Sequence, residues 1–297
     1  MRRPFFVITA RTELVALLGH PVGHSLSPRM HNAAFRAQKI DLVYLAFDVP
    51  PELLEEAVRG IRALRVRGAN VTIPHKERVL TLLDEVDPVA AMVGAVNTIV
   101  NQERRLIGHN TDVEGFRAAL RRLRPQGARG LRCLVAGAGG ASRAVVAALL
   151  QDGAAEVLVY NRTESRARTL CADAAHWGSA PCEVVSGHNL RAQARDAHLL
   201  VNATSVGLSP SIKESVLPVD ILHSGQIVID LVYAARSTEL VAAAARAGAK
   251  ALDGREMLLL QAAGSYRLWT GGEAPLEVMR SALGQEHREG KAEHAGR

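Results

Sequence analysis

Cysteine is scarce. Cys133, Cys171 and Cys182 are the only three in 297 residues, too few and too scattered along the chain for a disulfide framework or a zinc site, so they read as reduced thiols. Aromatic residues make up only 4%, and no basic block is interleaved with them. The net charge of +6 and the isoelectric point near 9.6 therefore do not amount to a nucleic-acid footprint. A basic pocket for anionic small molecules accounts for the charge equally well. Long apolar runs are missing, so no membrane span is expected. The run Phe5 to Ala10 is too short for the core of a signal peptide and is followed by Arg11 and Glu13, which points to a soluble, cytoplasmic protein. Metal-ligand clusters are missing too: His20, His24 and His31 have no carboxylate or cysteine beside them in sequence and read as loop and surface histidines, with no metal expected. Lysine is the last scarcity, with five in the chain against abundant arginine.

What is present is ordinary core-forming material, 48% hydrophobic and 22% charged, in a chain long enough for two domains. The most informative stretch is Leu131 to Ala144. A buried parallel strand, Leu131 to Ala136, leads into the glycine turn Gly137 to Gly140 and a helix from Ala141 to Leu150. That order opens a dinucleotide-binding βαβ unit: Gly137 permits the tight turn, Gly139 lets backbone approach a pyrophosphate, and the helix N-terminus offers amides to it. Ser142 stands at the third glycine position and is small enough for close helix–strand packing. The next strand, Glu156 to Tyr160, ends in Asn161-Arg-Thr163 with Arg166 a turn later. An NAD site places an acid there for the ribose 2′-hydroxyl, whereas arginines and a hydroxyl suit a 2′-phosphate. Later strands (Glu183 to Val185, His198 to Val201, Gln226 to Ile229, Lys250 to Leu252) run into polar turns, including Asn202-Ala-Thr-Ser-Val-Gly207 and Asp230-Leu-Val-Tyr233. A largely apolar helix, Met257 to Trp269, is expected to pack back across the first domain and carry Gln261.

The first third holds strands at Leu14 to Leu18 and Tyr44 to Phe47 and a helix from Pro51 to Leu64. Pro28 starts a helix with Ser27 as its cap. Ser25 has no such structural duty, and the two hydroxyls make a carboxylate cradle. Gly68 to Lys76 reads as a strand entering a helix at Pro74, with Val79, Leu82, Leu83 and Val86 as its buried stripe. Lys76 then falls in the first helical turn, where the dipole opposes a positive charge. An amine with a tunable pKa suits that corner; a solvated surface lysine is the alternative. A further strand, Ala95 to Val100, precedes Asn110, Thr111 and Asp112, each a good cap for the following helix, and Asp112 taken alone reads as that cap.

Taken together, His24-Ser-Leu-Ser-Pro28, Asn70-Val-Thr-Ile-Pro-His-Lys76, Gly94-Ala-Val-Asn-Thr98, Asn110-Thr-Asp112, Gly137-Ala-Gly-Gly-Ala141, Asn161-Arg-Thr163, Asn202-Ala-Thr-Ser205, Asp230-Leu-Val-Tyr233 and Gln261 resemble the shikimate dehydrogenase family, in family order over residues 14 to 271. The resemblance implies two α/β domains: an N-terminal substrate domain (1–111 plus 257–283) and a Rossmann-type NADP domain (112–256) with a mostly parallel, doubly wound sheet. A disordered tail (284–297) follows. It implies reversible NADP-dependent reduction of 3-dehydroshikimate, with Lys76 and Asp112 as the catalytic pair, against the cap reading of Asp112. Ser25 and Ser27 would hold the substrate carboxylate, and Thr72, Asn97, Asp112 and Gln261 its ring hydroxyls, with Asn70 and Tyr233 nearby. NADP would be held by Gly137, Ala138, Gly139, Gly140, Ala141, Asn161, Arg162, Thr163, Arg166, Thr204, Ser205, Gly254 and Met257. Departures from the family pattern are His109, where tryptophan is usual, and Tyr266, where phenylalanine is. The implied partners are a small-molecule substrate and at most a second copy (monomer or homodimer), not nucleic acid or a membrane. The rivals are a quinate or dual-specificity enzyme, a non-catalytic NADP-binding regulator, which would lack Lys76 or Asp112, and a nucleic-acid binder resting on charge alone.

Overall fold

A computed structural model describes residues 7–208, 213–233 and 237–284. The chain divides into two compact units, one built from the residues up to Thr111 together with those from Ala262, the other from Asp112 to Gln261. No helix among the described residues is long and apolar enough to cross a membrane.

The first unit is built on a mixed six-stranded sheet. Its strands are β1 (Glu13–Gly19), β2 (Leu42–Asp48), β3 (Gly68–Val71), β4 (Glu85–Val86), β5 (Thr98–Gln102) and β6 (Arg105–His109), in the order β2-β1-β3-β5-β6-β4. β1 lies parallel to β2 and β3, while β5 runs antiparallel to both β3 and β6. The helices α1 (Ser27–Gln38), α2 (Leu54–Ala63) and the short α3 (Pro88–Val93) connect these strands. The core joins Ala16 and Leu18 of β1, Leu54, Val58 and Ile61 of α2, and Ile99 and Leu106 from the antiparallel hairpin.

Three expectations for this unit change. No α-helix follows Pro74: a 3-10 segment spans Arg78–Leu82 and Glu85–Val86 pairs with β6 instead. Of the proposed stripe only Val79 is fully buried, and Asp84 accepts from the Leu106 amide and pairs with Arg62, which bends the chain into the sheet edge. Lys76 is thus in a turn and feels no helix dipole. The strand expected from Ala95 begins only at Thr98, and the β6 hairpin partner was not anticipated. Gly284, assigned to a disordered tail, is the last residue of α10 (Leu276–Gly284), which packs on α1; residues 285–297 lie outside the described part.

The second unit carries an all-parallel sheet of β7 (Arg132–Ala136), β8 (Glu156–Tyr160), β9 (Cys182–Val184), β10 (Leu199–Asn202), β11 (Ile227–Asp230) and β12 (Lys250–Leu252). The order is β12-β11-β10-β7-β8-β9. Helices α4 (Asp112–Leu123), α5 (Gly140–Gln151), α6 (Glu164–Ala174), α7 (Leu190–Asp196) and α8 (Glu239–Arg246) cover it. Leu134, Leu158, Leu200 and Val228 form one register row across four strands and pack against Ala194 of α7 and Leu240 of α8. The alternate residues Cys133, Val135 and Val157 are equally buried on the face that α5 covers. Strands buried on both faces read as continuous apolar runs, as these do. This is the doubly wound order, with its reversal point between β7 and β10, where such sheets bind ligands beyond their carboxyl ends. The last long helix, α9 (Gly254–Thr270), begins in this unit and ends in the first. Its final turns anchor there: the Trp269 indole donates to the Ile99 carbonyl (3.0 Å), and Gly68 leaves room for that ring.

Candidate active site

In the first unit the candidate residues sit at the carboxyl ends of β1 and β3 and around the start of β5. Ser27 is not the helix cap. It is the first helical residue, Leu26 holds the cap position, and no side chain caps the helix. The capping-like duty falls to Ser25, whose Oγ accepts the Ser27 amide at 3.3 Å. Ser25 is half-buried and Ser27 buried. An acceptor role for Ser25 Oγ leaves its own proton for an anion. Thr72 follows β3, its amide bonded to the Leu18 carbonyl at 2.9 Å. Gly19 is required there, because a Cβ would lie 2.3 Å from the Thr72 methyl.

Asn70, Asn97, Thr98, Thr111 and Ser265 form one buried network. The Tyr44 hydroxyl donates to Asn70 Oδ1 (2.8 Å), and Asn70 Nδ2 is shared among the Asn97 carbonyl, Thr98 Oγ1 and Ser265 Oγ at 3.0–3.1 Å. Asn97 Oδ1 accepts the Thr111 amide (2.8 Å) and the Thr98 hydroxyl (3.0 Å), and its Nδ2 reaches Thr111 Oγ1 at 2.9 Å. Both amide flips are thereby fixed. Asn70 spends its donors inside the protein, so it organises this surface rather than facing outward. The Val96 amide bonds the Lys76 carbonyl at 2.8 Å, which sets the half-buried Lys76 beside Asn97 on one side; on the other, Thr111 leads directly into Asp112, the buried first residue of α4.

Beneath this network lies a histidine that the sequence placed on the surface. His31 is fully buried, stacked on Tyr44 at 4.6 Å between ring centroids and tilted against Trp269 and Phe35, and neither ring nitrogen has a hydrogen-bond partner among the described residues. Burial drives its pKa down to about 3, so it is a neutral ring at ordinary pH. The helical spacing from Ser27 to His31 and Phe35 could have shown it facing the core. His109, one of the departures noted above, pairs with Asp87 at 2.7 Å, and Asp87 also caps α3 through the Ala90 amide. Among the described residues no group of three or more potential metal ligands is gathered.

In the second unit the turn after β7 has the shape a pyrophosphate needs. Gly137 has φ +119°, and a Cβ there would lie 2.6 Å from Ser142 Oγ and 2.8 Å from the Ala203 carbonyl, so only glycine fits. Ser142 is fully buried, as its packing role requires. Ala138 is buried, while Gly139, the cap position of α5, faces open space, with nothing within 4 Å of where its Cβ would stand. Gly140 and Ala141 open the helix, and no acidic residue enters its first turn. Its free amides and dipole fit an anion.

At the end of β8 the Asn161 amide braces the turn by donating to the Thr163 carbonyl at 2.8 Å. Thr163 holds the cap position of α6 without using its side chain for capping, and Arg162 and Arg166 are exposed. The residues present fit a 2′-phosphorylated dinucleotide. After β10, Asn202 Oδ1 accepts from the Thr204 amide and hydroxyl (3.0 and 2.7 Å), and its Nδ2 donates to Asp230 Oδ1 at 2.9 Å. Asp230 also accepts from the Val232 amide and the Thr238 hydroxyl; burial raises its pKa. Thr204 and Ser205 are therefore held on a rigid turn. Gly254 is explained by packing: a Cβ would lie 2.2 Å from the Leu231 carbonyl. Met257 is buried one turn later in α9. Gln261 is nearly buried, its Nε2 donating to the Leu258 carbonyl at 2.8 Å, and Gly115 of α4 packs directly on its backbone. Tyr233, half-buried, follows β11.

Residues 17–99 match a family model described as the shikimate dehydrogenase substrate binding domain, residues 119–232 one described as shikimate / quinate 5-dehydrogenase, and residues 254–283 one described as the shikimate 5′-dehydrogenase C-terminal domain. The chain is 50% identical over 281 residues to the shikimate dehydrogenase (NADP(+)) of Moorella thermoacetica, covering 93% of this chain and 94% of that protein. Among solved structures, it matches a shikimate dehydrogenase in complex with NADP+ with a TM-score of 0.86 and 37% identity, over 93% of this chain and 96% of the other. It also matches the quinate dehydrogenase of Corynebacterium glutamicum in complex with NAD, with a TM-score of 0.84 and 33% identity, over 92% and 98% of the two chains.

Proposed function

The chain belongs to the shikimate dehydrogenase family, and from that premise we propose that it catalyses the reversible NADPH-dependent reduction of 3-dehydroshikimate to shikimate, on the route to aromatic amino acids. The observation that carries the reading is the end of β8, where exposed Arg162, Thr163 and Arg166 stand in place of the acid of an NAD site, beside a glycine turn open at Gly139.

The roles follow from the residues. Gly137 to Ala141 hold the pyrophosphate on the amides of α5, Arg162, Thr163 and Arg166 hold the 2′-phosphate on a turn braced by Asn161, and Thr204, Ser205, Gly254 and Met257 complete the cofactor's surroundings. Bound NADPH supplies a hydride to the ketone carbon. Lys76 Nζ gives the carbonyl oxygen its proton and, as the neutral amine, takes it back in the oxidative direction, with Asp112 orienting the ammonium and balancing its charge. Ser25 and Ser27 hold the carboxylate. Thr72, Asn97, Asp112 and Gln261 bind the ring hydroxyls, Asn70 fixes Asn97 and its neighbours, and Tyr233 belongs to the same substrate set. On this reading the enzyme acts in the cytoplasm, as a monomer or homodimer, on a small molecule without nucleic acid or membrane.

A second reading, quinate oxidation, is favoured by the likeness to the quinate dehydrogenase and by the shikimate / quinate description of the family model that matches residues 119–232. Quinate carries an extra hydroxyl on the carbon that bears its carboxylate, beside Ser25 and Ser27. Pockets reject an added hydroxyl by about 10²-fold, more if it meets a wall. Absorbance assays of reduced nicotinamide, crossing shikimate and quinate with NADP and NAD, test both readings. Shikimate with NADP is expected to dominate. Equal kcat/KM for quinate would move the protein to the dual-specificity branch, and equal use of NAD would remove the role given to Arg162.

A further inference from the structure

Two of the three cysteines, apart in sequence, meet in space. Cys171 lies in α6, the helix that follows the Asn161-Arg162-Thr163 turn, and Cys182 opens β9, the edge strand of the same sheet. α6 packs on β9, and the two sulfurs stand 3.1 Å apart with the Cys182 S–H directed at Cys171 Sγ. Both residues are half-buried, so small reagents can reach them, whereas Cys133 is enclosed in β7. A disulfide needs about 2.05 Å between sulfurs, so closing the pair takes a movement of about 1 Å at the edge of the sheet, where β9 is held by β8 on one side only.

We propose that Cys171 and Cys182 form a redox-active dithiol, a modification site that closes to an intrachain disulfide by exchange with a small disulfide of the glutathione class.

The chemistry balances within that pair of reactants. Cys171 Sγ attacks one sulfur of the small disulfide, forming a mixed disulfide and releasing one thiolate. Cys182 Sγ then attacks Cys171 Sγ and releases the second. The two cysteines lose two electrons, the small disulfide gains them, and the two cysteine protons end on the two released thiols. The hydrogen bonding assigns the order. Accepting the Cys182 S–H lowers the pKa of Cys171, the attacking thiol, and donating it raises that of Cys182. Once Cys171 is capped that hydrogen bond is lost, and Cys182 is released to ionise. Cys133, whose thiol burial pushes up to about 12, serves as an internal unreactive control.

The test uses the whole protein, folded, in glutathione buffers of increasing oxidised fraction, followed by acid quench, alkylation in denaturant and non-reducing peptide mapping. Expected are a linked Cys171–Cys182 peptide, a fall from three alkylatable thiols to one, and no glutathione left on the chain. The Tm should rise by roughly 5–10 °C, the scale of a short-loop disulfide in a chain of this size, and return with dithiothreitol. Cys182→Ser should trap a single glutathione on Cys171, because no second thiol is left to displace it. Stable glutathione adducts on the unsubstituted protein, a cross-link between chains, or three thiols surviving full oxidation would each overturn the proposal.

Discussion

The two units build their binding surfaces by different means. In the first, the surface is a mesh of side chains: Asn70, Asn97, Thr98, Thr111 and Ser265 hold one another within hydrogen-bond range, and none carries a charge. In the second it is backbone shape plus exposed charge: a glycine turn with no room for a Cβ at Gly137 and arginines at the surface. A mesh fixes the orientation of several groups at once, as recognition of a ring with several hydroxyls demands. A glycine turn and a helix N-terminus supply donors that need no side chain, and exposed arginines suffice for a phosphate that is itself strongly charged. The mesh is therefore expected to fail cooperatively, and the charged turn by degrees.

The largest expected effect tests the boundary of the mesh. Lys76→Ala should lower kcat roughly 10²–10⁴-fold, the usual worth of a positioned acid–base group, with the KM for NADP nearly unchanged. Steady-state kinetics with both substrates varied check this; near-unchanged turnover would detach Lys76 from the chemistry. Next, Arg162→Ala should weaken NADP by about 1.5–3 kcal/mol, the scale of a hydrogen bond to a charged group, and leave NAD alone. That loss should shrink as salt rises, because Arg162 is exposed and exposed charges are screened. Equal losses for the two cofactors would break the contrast drawn here.

Two smaller effects sharpen it. In a double-mutant cycle on stability, Asn97→Ala and Thr111→Val should couple by about 0.5–3 kcal/mol, as residues of one network do; additive losses would mean that the mesh is only a set of independent bonds. His31 offers a pH test. Its pKa is lowered to about 3 in the fold and is about 6.5 in an unfolded chain. The unfolded state therefore binds the extra proton first. The stability tied to neutral His31 is fully present above pH 6.5 and is lost as pH falls from there toward 3, with a slope approaching about 1.4 kcal/mol per pH unit. His31→Phe should flatten that slope in urea titrations at several pH values, and should add about 1 kcal/mol at neutral pH by removing two unsatisfied nitrogens. An unchanged slope would mean that His31 finds a partner or water in solution.

Much of the second unit could be read from the sequence because its logic is local. Fully buried strands such as β7 and β8 are short apolar runs, the turn between β7 and α5 is spelled by its glycines, and both depend on neighbours in sequence. The first unit is harder for the opposite reason. The segment after Lys76 has helical spacing in Val79, Leu82, Leu83 and Val86, but the Arg62–Asp84 ion pair and the pairing of Glu85 and Val86 with Ile107 and Gly108 are long-range, and they win. The same holds for β6, whose Arg105 to His109 stretch alternates in burial but was eclipsed by the strong cap signal that follows it. Of the candidate residues, the motif positions were legible and their division of labour was not. Ser25, not Ser27, meets the helix amide, and Asn70 is spent inside the mesh with Tyr44, which no motif suggested.

The route of α9 bears on how the chain is made. The first unit is discontinuous: its sheet is complete by His109, but Ser265 and Trp269, which bond Thr98 and Ile99 from behind, come from the far end of the sequence. The ribosome delivers the whole of the second unit before either residue emerges. Domains otherwise tend to mature in the order of their synthesis; here the part translated first is finished last. Until the C-terminal turns of α9 arrive, the nascent chain carries a complete sheet with Gly68 and the Thr98 hydroxyl uncovered, which makes those turns the clasp of its biogenesis.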